Sequence, residues 1–294
     1  MIAGERGRRA AVLGHPVAHS LSPVLHRAAY AALGLESWRY DAVDVTEDEL
    51  ADVLAGVDAE WAGLSVTMPL KKAVIPLLDH IEPLAEVVGA VNTVLVQAGA
   101  GARPVLVGAN TDVHGIVAAL GEGRSADASP VRGAVVIGAG ATAASALAAL
   151  AQLGCPTPQV FVRSMARAGS TMRAAHRMGV EPQFLSAELA DRLLDAVVAA
   201  DVVISTLPPR AADPLAEHLA VSGRRVAGVL LDCAYDPRPT ALCAAWTAAG
   251  GAVVTGERML LHQATEQVRL MTGLPAPIEA MHDALERALA ADAG

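Results

Sequence analysis

Short apolar runs alternate with amphipathic stretches along the whole chain, and this alternation predicts its secondary structure. Apolar runs bounded by turn residues predict buried strands, and longer stretches with helical periodicity predict helices. The predicted strands cover 10–14, 38–45, 62–66, 91–97, 104–108, 135–138, 160–162, 201–206, 229–233 and 252–255. The predicted helices cover 23–33, 46–57, 70–78, 141–153, 164–178, 189–199, 211–219, 240–249, 257–272 and 277–291. Strands alternating with helices are typical of an α/β fold with a mainly parallel sheet.

Several local signals refine this pattern. Thr46 and Glu49 have the spacing of a capping box and predict the start of a helix. Pro76 is expected to disturb the helix over 70–78. Strands 91–97 and 104–108 are expected to pair antiparallel around the turn at 98–103. Residues 121–131 are rich in Gly, Ser and Asp and predict a loop between two structural units.

Length and composition exclude several classes of protein. The 294 residues correspond to about two domains, and 53% hydrophobic residues allow a large core. The formal net charge of −9 argues against a nucleic-acid binder, which would normally present a basic face. Three cysteines without a CxxC pair exclude a disulfide scaffold and favour buried thiols in a reducing compartment. We therefore expect neither nucleic acid nor disulfides to be part of the function.

Residues 133–162 carry no charge and are long enough to span a bilayer. Glycines and prolines divide this segment into a strand, a glycine turn, a helix and a second strand, so a buried strand–helix–strand unit is the better interpretation. The first residues lack the long apolar run of a signal peptide. The expectation is a cytoplasmic protein that does not bind membranes.

A glycine-rich turn between a predicted strand and a predicted helix indicates a dinucleotide site. Its residues are Gly138, Ala139, Gly140, Ala141, Thr142 and Ala143. Glycines at the first and third positions permit a tight turn and bring a pyrophosphate close to the helix N-terminus. Any tight strand–helix turn could carry such a motif, but the surrounding strand and helix favour dinucleotide binding.

The end of the following strand distinguishes between cofactors. An NAD site needs an acidic residue there to bind the ribose hydroxyls. The strand is instead followed by Arg163 and Ser164, with Arg167 one turn further on and no Asp or Glu nearby. Guanidinium groups bind a 2′-phosphate in a forked geometry, whereas a carboxylate would repel it. The sequence therefore predicts NADP(H) as the cofactor.

Polar groups in the first half predict a second site. Ser20 and Ser22 place two hydroxyls after a strand and just before a helix, which suits a small carboxylate, although the same pattern is an ordinary helix cap. Thr67, Asn92 and Asp112 follow or border predicted strands, and polar groups at strand ends suit a polyhydroxylated ring. His15 and His19 have no third ligand close in sequence, so no metal site is predicted.

Only two of the 22 basic residues are lysines, Lys71 and Lys72. Lysine can release its proton when its pKa is lowered, whereas arginine stays protonated. Lysine therefore persists where arginine cannot replace it, or by chance on a solvated helix, and composition alone leaves both interpretations open.

Taken together, these motifs resemble the shikimate dehydrogenase family over nearly the whole chain. The matching pieces, in the order of the family, are GHPVAHSLSP, SVTMPLK, AVNT, NTD, GAGATA, RSMAR, DCAYDPRPTAL and GERMLLHQA. Ser65 stands where many members have Asn, and Val162 replaces an Asn that often precedes the arginine. The resemblance implies a substrate domain over 1–111 plus 256–294 and a Rossmann-type NADP-binding domain over 112–255. It further implies reversible reduction of 3-dehydroshikimate to shikimate with NADPH in aromatic biosynthesis.

The resemblance also implies a role for each site residue. Lys71 and Asp112 would form the catalytic pair. The substrate carboxylate would be held by Ser20, Ser22 and Tyr235, and the ring hydroxyls by Thr67, Asn92, Asp112 and Gln263. Arg163, Ser164 and Arg167 match the 2′-phosphate cluster, and Gly256 and Met259 match positions lining the nicotinamide. Without the resemblance, Gln263 would be placed on the surface of an amphipathic helix, Met259 in the core and Tyr235 at the edge of a core.

Alternatives stay open at this point. A quinate or aminoshikimate dehydrogenase belongs to the same superfamily, although Arg163 argues against the NAD that quinate enzymes often use. A non-catalytic NADP-binding regulator on the same fold would be expected to lose Lys71 or Asp112. The partner is expected to be a small-molecule substrate, and a homodimer is a further hypothesis.

Overall fold

The computed structural model describes residues 7–99, 101, 103–124 and 130–292. The chain divides into two compact units. The first comprises Met1–Glu86, Ala90–Thr111 and Leu261–Gly294, and the second comprises Val87–Gly89 and Asp112–Leu260. The chain returns from the second unit to the first between Leu260 and Leu261, which lies inside the helix Gly256–Thr272. The resemblance implied a division just before Gly256.

The first unit contains a six-stranded sheet. Its strands are β1 (Arg9–Gly14), β2 (Arg39–Asp44), β3 (Trp61–Val66), β4 (His80–Ile81), β5 (Thr93–Gln97) and β6 (Val105–Ala109), in the order β2-β1-β3-β5-β6-β4. β5 runs antiparallel to both neighbours, β3 and β6, and the other pairs are parallel. The predicted antiparallel pair is therefore confirmed, although part of its turn lies outside the described residues.

Four helices of this part of the chain are α1 (Ser22–Ala32), α2 (Leu50–Ala55), α3 (Leu70–Ala73) and α4 (Pro83–Val88). α2 begins later than the capping box predicts. The Glu49 carboxylate does accept hydrogen bonds from the backbone N–H and hydroxyl of Thr46, at 2.9 and 2.8 Å, but this contact closes a turn that precedes the helix. α3 is only four residues long and gives way to a 3₁₀ turn, Ile75–Leu77, because proline at position 76 lacks the N–H that a continuing helix needs.

The second unit is a parallel sheet covered by helices. Its strands are β7 (Ala134–Ile137), β8 (Gln159–Val162), β9 (Gln183–Ser186), β10 (Val202–Ser205), β11 (Val229–Asp232) and β12 (Ala252–Thr255). Its helices are α5 (Asp112–Gly123), α6 (Ala141–Gln152), α7 (Gly169–Met178), α8 (Ala190–Ala199), α9 (Asp213–Ser222) and α10 (Ala241–Ala248). β7, α6 and β8 form the buried strand–helix–strand unit predicted for the uncharged segment.

The strand order of this sheet is β12-β11-β10-β7-β8-β9, with every pair parallel. Counted from β7, it is the 3-2-1-4-5-6 order of the doubly wound dinucleotide-binding fold. The order reverses between β7 and β10, so the glycine turn after β7 lies at the topological switch point where such sheets bind ligands.

The expectation of a loop over residues 121–131 is wrong in detail. α5 continues to Gly123, so the predicted loop begins later, and residues 125–129 of that loop lie outside the described residues. The helix also occupies 112–120, where none was predicted. Ile116, Ala119 and Leu120 on α5 are fully buried, which explains why a helix with glycines is stable at this position.

Two long helices complete the chain, α11 (Gly256–Thr272) and α12 (Ile278–Asp292). The first five residues of α11 belong to the second unit, and the rest belongs to the first. α12 packs against α1. No helix in the described part of the chain combines the length and the apolar character needed to cross a membrane.

Each sheet has its own apolar core. In the first unit, Leu13, Leu64 and Val94 project from adjacent strands and pack against helix residues that include Leu50 and Leu70. In the second unit, the core includes Phe161, Leu230 and the fully buried Trp246, whose indole N–H donates to the carbonyl of Gly228 at 3.1 Å. Burial of these side chains stabilises the sheets and fixes the strand ends on which the candidate site depends.

Candidate functional site

Strand pairing in the first unit brings the predicted substrate residues to one edge of its sheet. Ser65 near the end of β3 lies opposite Thr93 at the start of β5, and Thr93 lies opposite Ala109 at the end of β6. Because β5 is reversed, its amino end meets the carboxyl ends of its neighbours. Asn92 therefore lies beside the residues that follow β3 and β6.

Thr67 follows β3 and packs directly against Gly14 at the end of β1. The backbone N–H of Thr67 donates to the carbonyl of Leu13 at 2.9 Å. A Cβ atom added at Gly14 would lie 2.3 Å from Cγ2 of Thr67 and 3.0 Å from the carbonyl oxygen of Met68. Glycine is needed at position 14 because any side chain there would displace Thr67.

Replacing Gly14 by alanine is expected to lower the free energy of unfolding by about 1–3 kcal/mol, because the added methyl group overpacks the contact with Thr67. Urea unfolding of the purified variant measures this. Gly121→Ala is the matched control, since a Cβ there meets nothing within 4 Å and alanine favours the helix. Adding Thr67→Ser to Gly14→Ala removes the clashing methyl and should recover part of the stability. Equal stability of both alanine variants would contradict this account.

The segment that carries the two serines is anchored at its start. The His15 ring contacts the Asp44 carboxylate at 2.6 Å, and the N–H of Val17 donates to the same carboxylate at 3.1 Å. These hydrogen bonds lower the pKa of Asp44. Ser20 accepts a hydrogen bond from the backbone N–H of Ser22 at 3.3 Å, but Leu21 is the N-cap residue of α1 and no side chain caps the helix. Ser22 is buried.

Lys71 lies on the short helix α3, which follows the carboxyl end of β3 at the same edge of the sheet. Leu70 is fully buried in the core, and the N–H of Val91 donates to the carbonyl of Lys71 at 2.9 Å. This bond ties the backbone of Lys71 to the residue that precedes Asn92. Lys71 itself is half-buried, whereas Lys72 is exposed.

Asn92, Thr111 and Gln263 form a compact buried polar cluster. The Asn92 amide nitrogen donates to Thr111 Oγ1 at 2.9 Å and to Gln263 Oε1 at 3.2 Å. The Asn92 amide oxygen accepts from the N–H of Thr111 at 2.7 Å. Gln263 is 6% exposed, so the surface position that its amphipathic helix alone suggested is wrong. Asp112 follows directly as the first residue of α5 and is 3% exposed.

The glycine turn of the second unit has the shape that a dinucleotide requires. Gly138 adopts φ +114°, and a Cβ there would lie 2.4 Å from Thr206 Oγ1, so only glycine fits. At Gly140, an added Cβ would meet nothing within 4 Å, which leaves open space before the first turn of α6. The Thr171 hydroxyl donates to the carbonyl of Ala139 at 2.7 Å and holds the turn in place. Ala141 and Thr142 begin α6.

A cavity of about 430 Å³ adjoins this turn, and the predicted phosphate-binding residues border it. Arg163, Ser164 and Arg167 line it together with Gly138 and Ala139. Arg163 and Arg167 are both exposed, so their guanidinium groups are accessible to a ligand. The donor set fits an anionic 2′-phosphate, and the open space at Gly140 fits the approach of a pyrophosphate.

Sequence reasoning missed several other residues that line this cavity. They include Leu207, Pro208, Leu215, His218 and Glu188. Leu207 and Pro208 follow β10, the neighbour of β7 across the switch point, so the strand order of the doubly wound fold was the signal that could have located them. The apolar side chains among them, Leu207, Pro208 and Leu215, suit the flat face of an adenine ring.

Three further predicted residues of the second unit follow β11 in the chain, namely Tyr235, Gly256 and Met259. Asp232 accepts hydrogen bonds from the Thr240 hydroxyl at 2.8 Å and the Ala234 N–H at 3.3 Å, which closes the loop that carries Tyr235. Burial raises the pKa of both Asp232 and Tyr235. Gly256 is buried, and a Cβ there would lie 2.4 Å from the carbonyl oxygen of Cys233.

Met259 is 7% exposed, and its sulfur lies 3.7 Å from the Cys233 thiol. Neither Gly256 nor Met259 borders the cavity beside the glycine turn. Across the described ranges, no group of three or more His, Cys, Asp or Glu side chains has a metal-binding arrangement.

The strand order, the glycine turn at the switch point and the arginine-lined cavity define an α/β protein that binds a phosphorylated dinucleotide. Family comparison narrows this class. Residues 12–94 match the model of the shikimate dehydrogenase substrate binding domain, and residues 256–286 match that of the shikimate 5′-dehydrogenase C-terminal domain.

Individual relatives agree over almost the whole chain. The NADP(+) shikimate dehydrogenase of Moorella thermoacetica is 37% identical over 97% of this chain and 94% of its own length. The crystal structure of Mycobacterium tuberculosis shikimate dehydrogenase is 42% identical, with a TM-score of 0.81 over 95% of this chain and 99% of that one. The Thermus thermophilus enzyme, solved in complex with NADP(H) and shikimate, is 33% identical, with a TM-score of 0.78 over 96% and 99%. This chain belongs to the shikimate dehydrogenase family.

Proposed function

We propose that this protein is an NADP-dependent shikimate dehydrogenase that reversibly reduces 3-dehydroshikimate to shikimate. The observation that carries the proposal is the cavity beside the glycine turn, which is lined by Arg163, Ser164 and Arg167. A relative that matches 97% of this chain bears the name of this activity, and the structure of another relative was solved with NADP(H) and shikimate bound. Two guanidinium groups and a hydroxyl favour the phosphorylated cofactor, because their two positive charges outweigh the single carboxylate, Glu188, that lines the same cavity.

NADPH, when bound, supplies the hydride that reaches the carbonyl carbon of the substrate. The glycine turn Gly138–Gly140, with Ala141 and Thr142, would hold the pyrophosphate at the N-terminus of α6. Arg163, Ser164 and Arg167 would bind the 2′-phosphate. Gly256 and Met259 are assigned to the nicotinamide by their match to the family pattern.

Reduction of a carbonyl also requires one proton at its oxygen. We assign this transfer to Lys71, whose ammonium group donates the proton during reduction and whose amine takes it back during oxidation. By its match to the family pattern, Asp112 is assigned to orient Lys71 and to accept a hydrogen bond from an adjacent ring hydroxyl. The anchored backbone of Lys71 supports this role, because a positioned acid transfers protons efficiently only when it is held in place.

The remaining roles concern substrate binding. Ser20 and Ser22, with Tyr235, would hold the carboxylate. Thr67, Asn92 and Gln263 would bind the ring hydroxyls. The buried cluster of Asn92, Thr111 and Gln263 supports this part, because amide and hydroxyl groups that are already oriented bind a polyhydroxylated ring at lower entropic cost.

The proposal is tested by following the absorbance of the reduced nicotinamide while shikimate or quinate is offered with NADP⁺ or NAD⁺. We expect the highest kcat/KM with shikimate and NADP⁺. A preference for quinate with NAD⁺ would assign the chain to the quinate branch. Binding of NADP⁺ without turnover of either alcohol would identify a non-catalytic regulator.

The proposal includes a cytoplasmic location and a homodimeric assembly. Cys155, Cys233 and Cys243 are all free thiols, which is typical of a reducing compartment. Sedimentation of the purified protein would test the dimer, and a monomer at micromolar concentration would contradict it.

A further inference from the structure

A buried chain of hydrogen bonds lies behind the polar cluster of the first unit and has no role assigned so far. Its members are between 0% and 4% exposed and come from three strands and two helices. They are His26 on α1, Tyr40 on β2, Ser65 on β3, Thr93 on β5 and Gln267 on α11. Buried polar side chains cost stability unless they are fully paired, so their arrangement calls for a functional explanation.

Gln267 is the centre of this chain and uses all of its hydrogen-bonding capacity. Its amide nitrogen donates to the carbonyl of Asn92 at 3.2 Å and to the Thr93 hydroxyl at 2.9 Å. Its amide oxygen accepts from the Ser65 hydroxyl at 2.8 Å and contacts His26 Nε2 at 3.1 Å. An amide has two donors and two principal acceptor positions, and here each has a partner.

The direction of each hydrogen bond follows from this arrangement. The amide oxygen of Gln267 can only accept, so His26 must carry its proton on Nε2. Burial lowers the pKa of His26 to about 4, which keeps the ring neutral at physiological pH. The ring of His26 stacks on Tyr40 with centroids 4.0 Å apart. Because Ser65 gives its proton to Gln267, it accepts from the Tyr40 hydroxyl, at 2.6 Å.

The same logic extends to Asn92. The Thr93 hydroxyl accepts from Gln267, so its own proton is free to be donated to the Asn92 amide oxygen at 2.9 Å. The N–H of Thr111 donates to the same oxygen at 2.7 Å. With its oxygen held by two donors, the Asn92 amide must present its nitrogen to Gln263 and Thr111 Oγ1.

The other end of the chain is Tyr40. Its hydroxyl donates to Ser65 at 2.6 Å, and burial raises the pKa of Tyr40. One continuous set of hydrogen bonds therefore joins Tyr40, through Ser65, Gln267 and Thr93, to Asn92, which is assigned to the ring hydroxyls.

We infer that Gln267 is a positioning residue that fixes the orientation of the Asn92 amide through Thr93 and is itself held by Ser65, which Tyr40 holds in turn. This inference rests on the proposed function, because that function assigns Asn92 to the ring hydroxyls of the substrate. Ser65 takes part as a link in this chain, since its hydroxyl is buried and occupied by Tyr40 and Gln267.

Thr93→Val tests the link with the smallest change, because valine keeps the shape and strand propensity of threonine and removes only the hydroxyl. Without that hydroxyl, the Asn92 amide loses one of the donors that hold its oxygen. We expect KM for shikimate to rise by about three- to tenfold, the range of one net hydrogen bond. KM for NADP⁺ should not change, and kcat should fall much less than KM rises, because a ground-state binding contact is affected.

Three further variants separate positioning from a general structural role. Thr93→Ser keeps the hydroxyl and should restore the wild-type KM. Gln267→Met should raise KM for shikimate in the same way, and the Thr93→Val, Gln267→Met double variant should be no worse than Gln267→Met alone, since both break one link. Should Gln267→Met fail to fold, the two Thr93 variants still give the answer.

Tyr40→Phe and Tyr30→Phe form the matched control pair. Tyr30 is 2% exposed and lies against the same rings, but its hydroxyl has no hydrogen-bond partner among the described residues. We expect Tyr40→Phe to raise KM for shikimate and Tyr30→Phe to leave it unchanged.

Unchanged KM in Thr93→Val, or failure of Thr93→Ser to restore it, would overturn the positioning role while leaving the proposed function intact. Absence of shikimate turnover in the wild-type protein would instead overturn the proposed function, and with it this inference.

Discussion

Replacing Lys71 by alanine is expected to lower kcat for shikimate oxidation by about 10²–10⁴-fold, with only a modest change in KM. The reason is that a positioned general acid–base contributes in the transition state and little to substrate binding in the ground state. Steady-state kinetics with saturating NADP⁺ measures the effect. Lys71→Arg should be similarly impaired, because a guanidinium group does not release its proton near neutral pH.

Lys72→Ala is the matched control for this prediction. It removes the only other lysine, which adjoins Lys71 but is exposed. We expect its kcat to stay close to that of the wild type. A Lys71→Ala variant that retains most of its kcat would refute the role of Lys71 as the proton donor, and loss of activity in Lys72→Ala would show that the effect is not specific to position 71.

Replacing Arg163 by alanine is expected to raise KM for NADP⁺ by at least about tenfold, because charge-assisted hydrogen bonds to the 2′-phosphate are lost. KM for shikimate should change much less. KM for NAD⁺ should hardly change, since NAD⁺ lacks the phosphate that Arg163 would bind. Kinetics with both cofactors, at low and high salt, measures the effect.

Arg132→Ala provides the control for Arg163. Arg132 is also exposed and precedes β7, whereas the glycine turn follows the opposite end of that strand. It should leave both cofactor constants unchanged. An equal loss of affinity for NADP⁺ and NAD⁺ in Arg163→Ala would show that Arg163 contributes to binding in general and does not recognise the phosphate.

The residues proposed to bind the nucleotide were largely predictable from local sequence. Position 138 needs a positive φ and leaves no room for a side chain beside Thr206. Only glycine meets both requirements, and a glycine between a predicted strand and a predicted helix is recognisable in the sequence. Arg163 follows its strand directly, so its place at the strand's carboxyl end needs no tertiary information. The contribution of Leu207 and Pro208 to the cavity could not be found in this way, because it depends on which strand lies beside β7.

The substrate side depended much more on tertiary structure. In the sequence, Ser65 was visible only as a departure from the family pattern, whereas the structure gives its hydroxyl two buried partners. Periodicity would have left Gln263 on the surface of its helix, yet it is buried against Asn92. Polar side chains on an amphipathic helix look the same in sequence whether they face water or a buried polar cluster.

The sequence by itself determined the alternation of strands and helices, the glycine turn, the arginines beside it and the candidate lysine. These features depend on residues close together in the chain, where backbone geometry and hydrophobic periodicity act directly. Only the tertiary structure decided the pairing of β5 with β3, the extent of α5 and the partners of Gln267. His26 and Gln267 are separated by 241 positions, and no local property of either residue specifies that they share a hydrogen bond. Such a contact exists only because the packing of the sheet and α11 leaves both side chains buried, where each must find a partner.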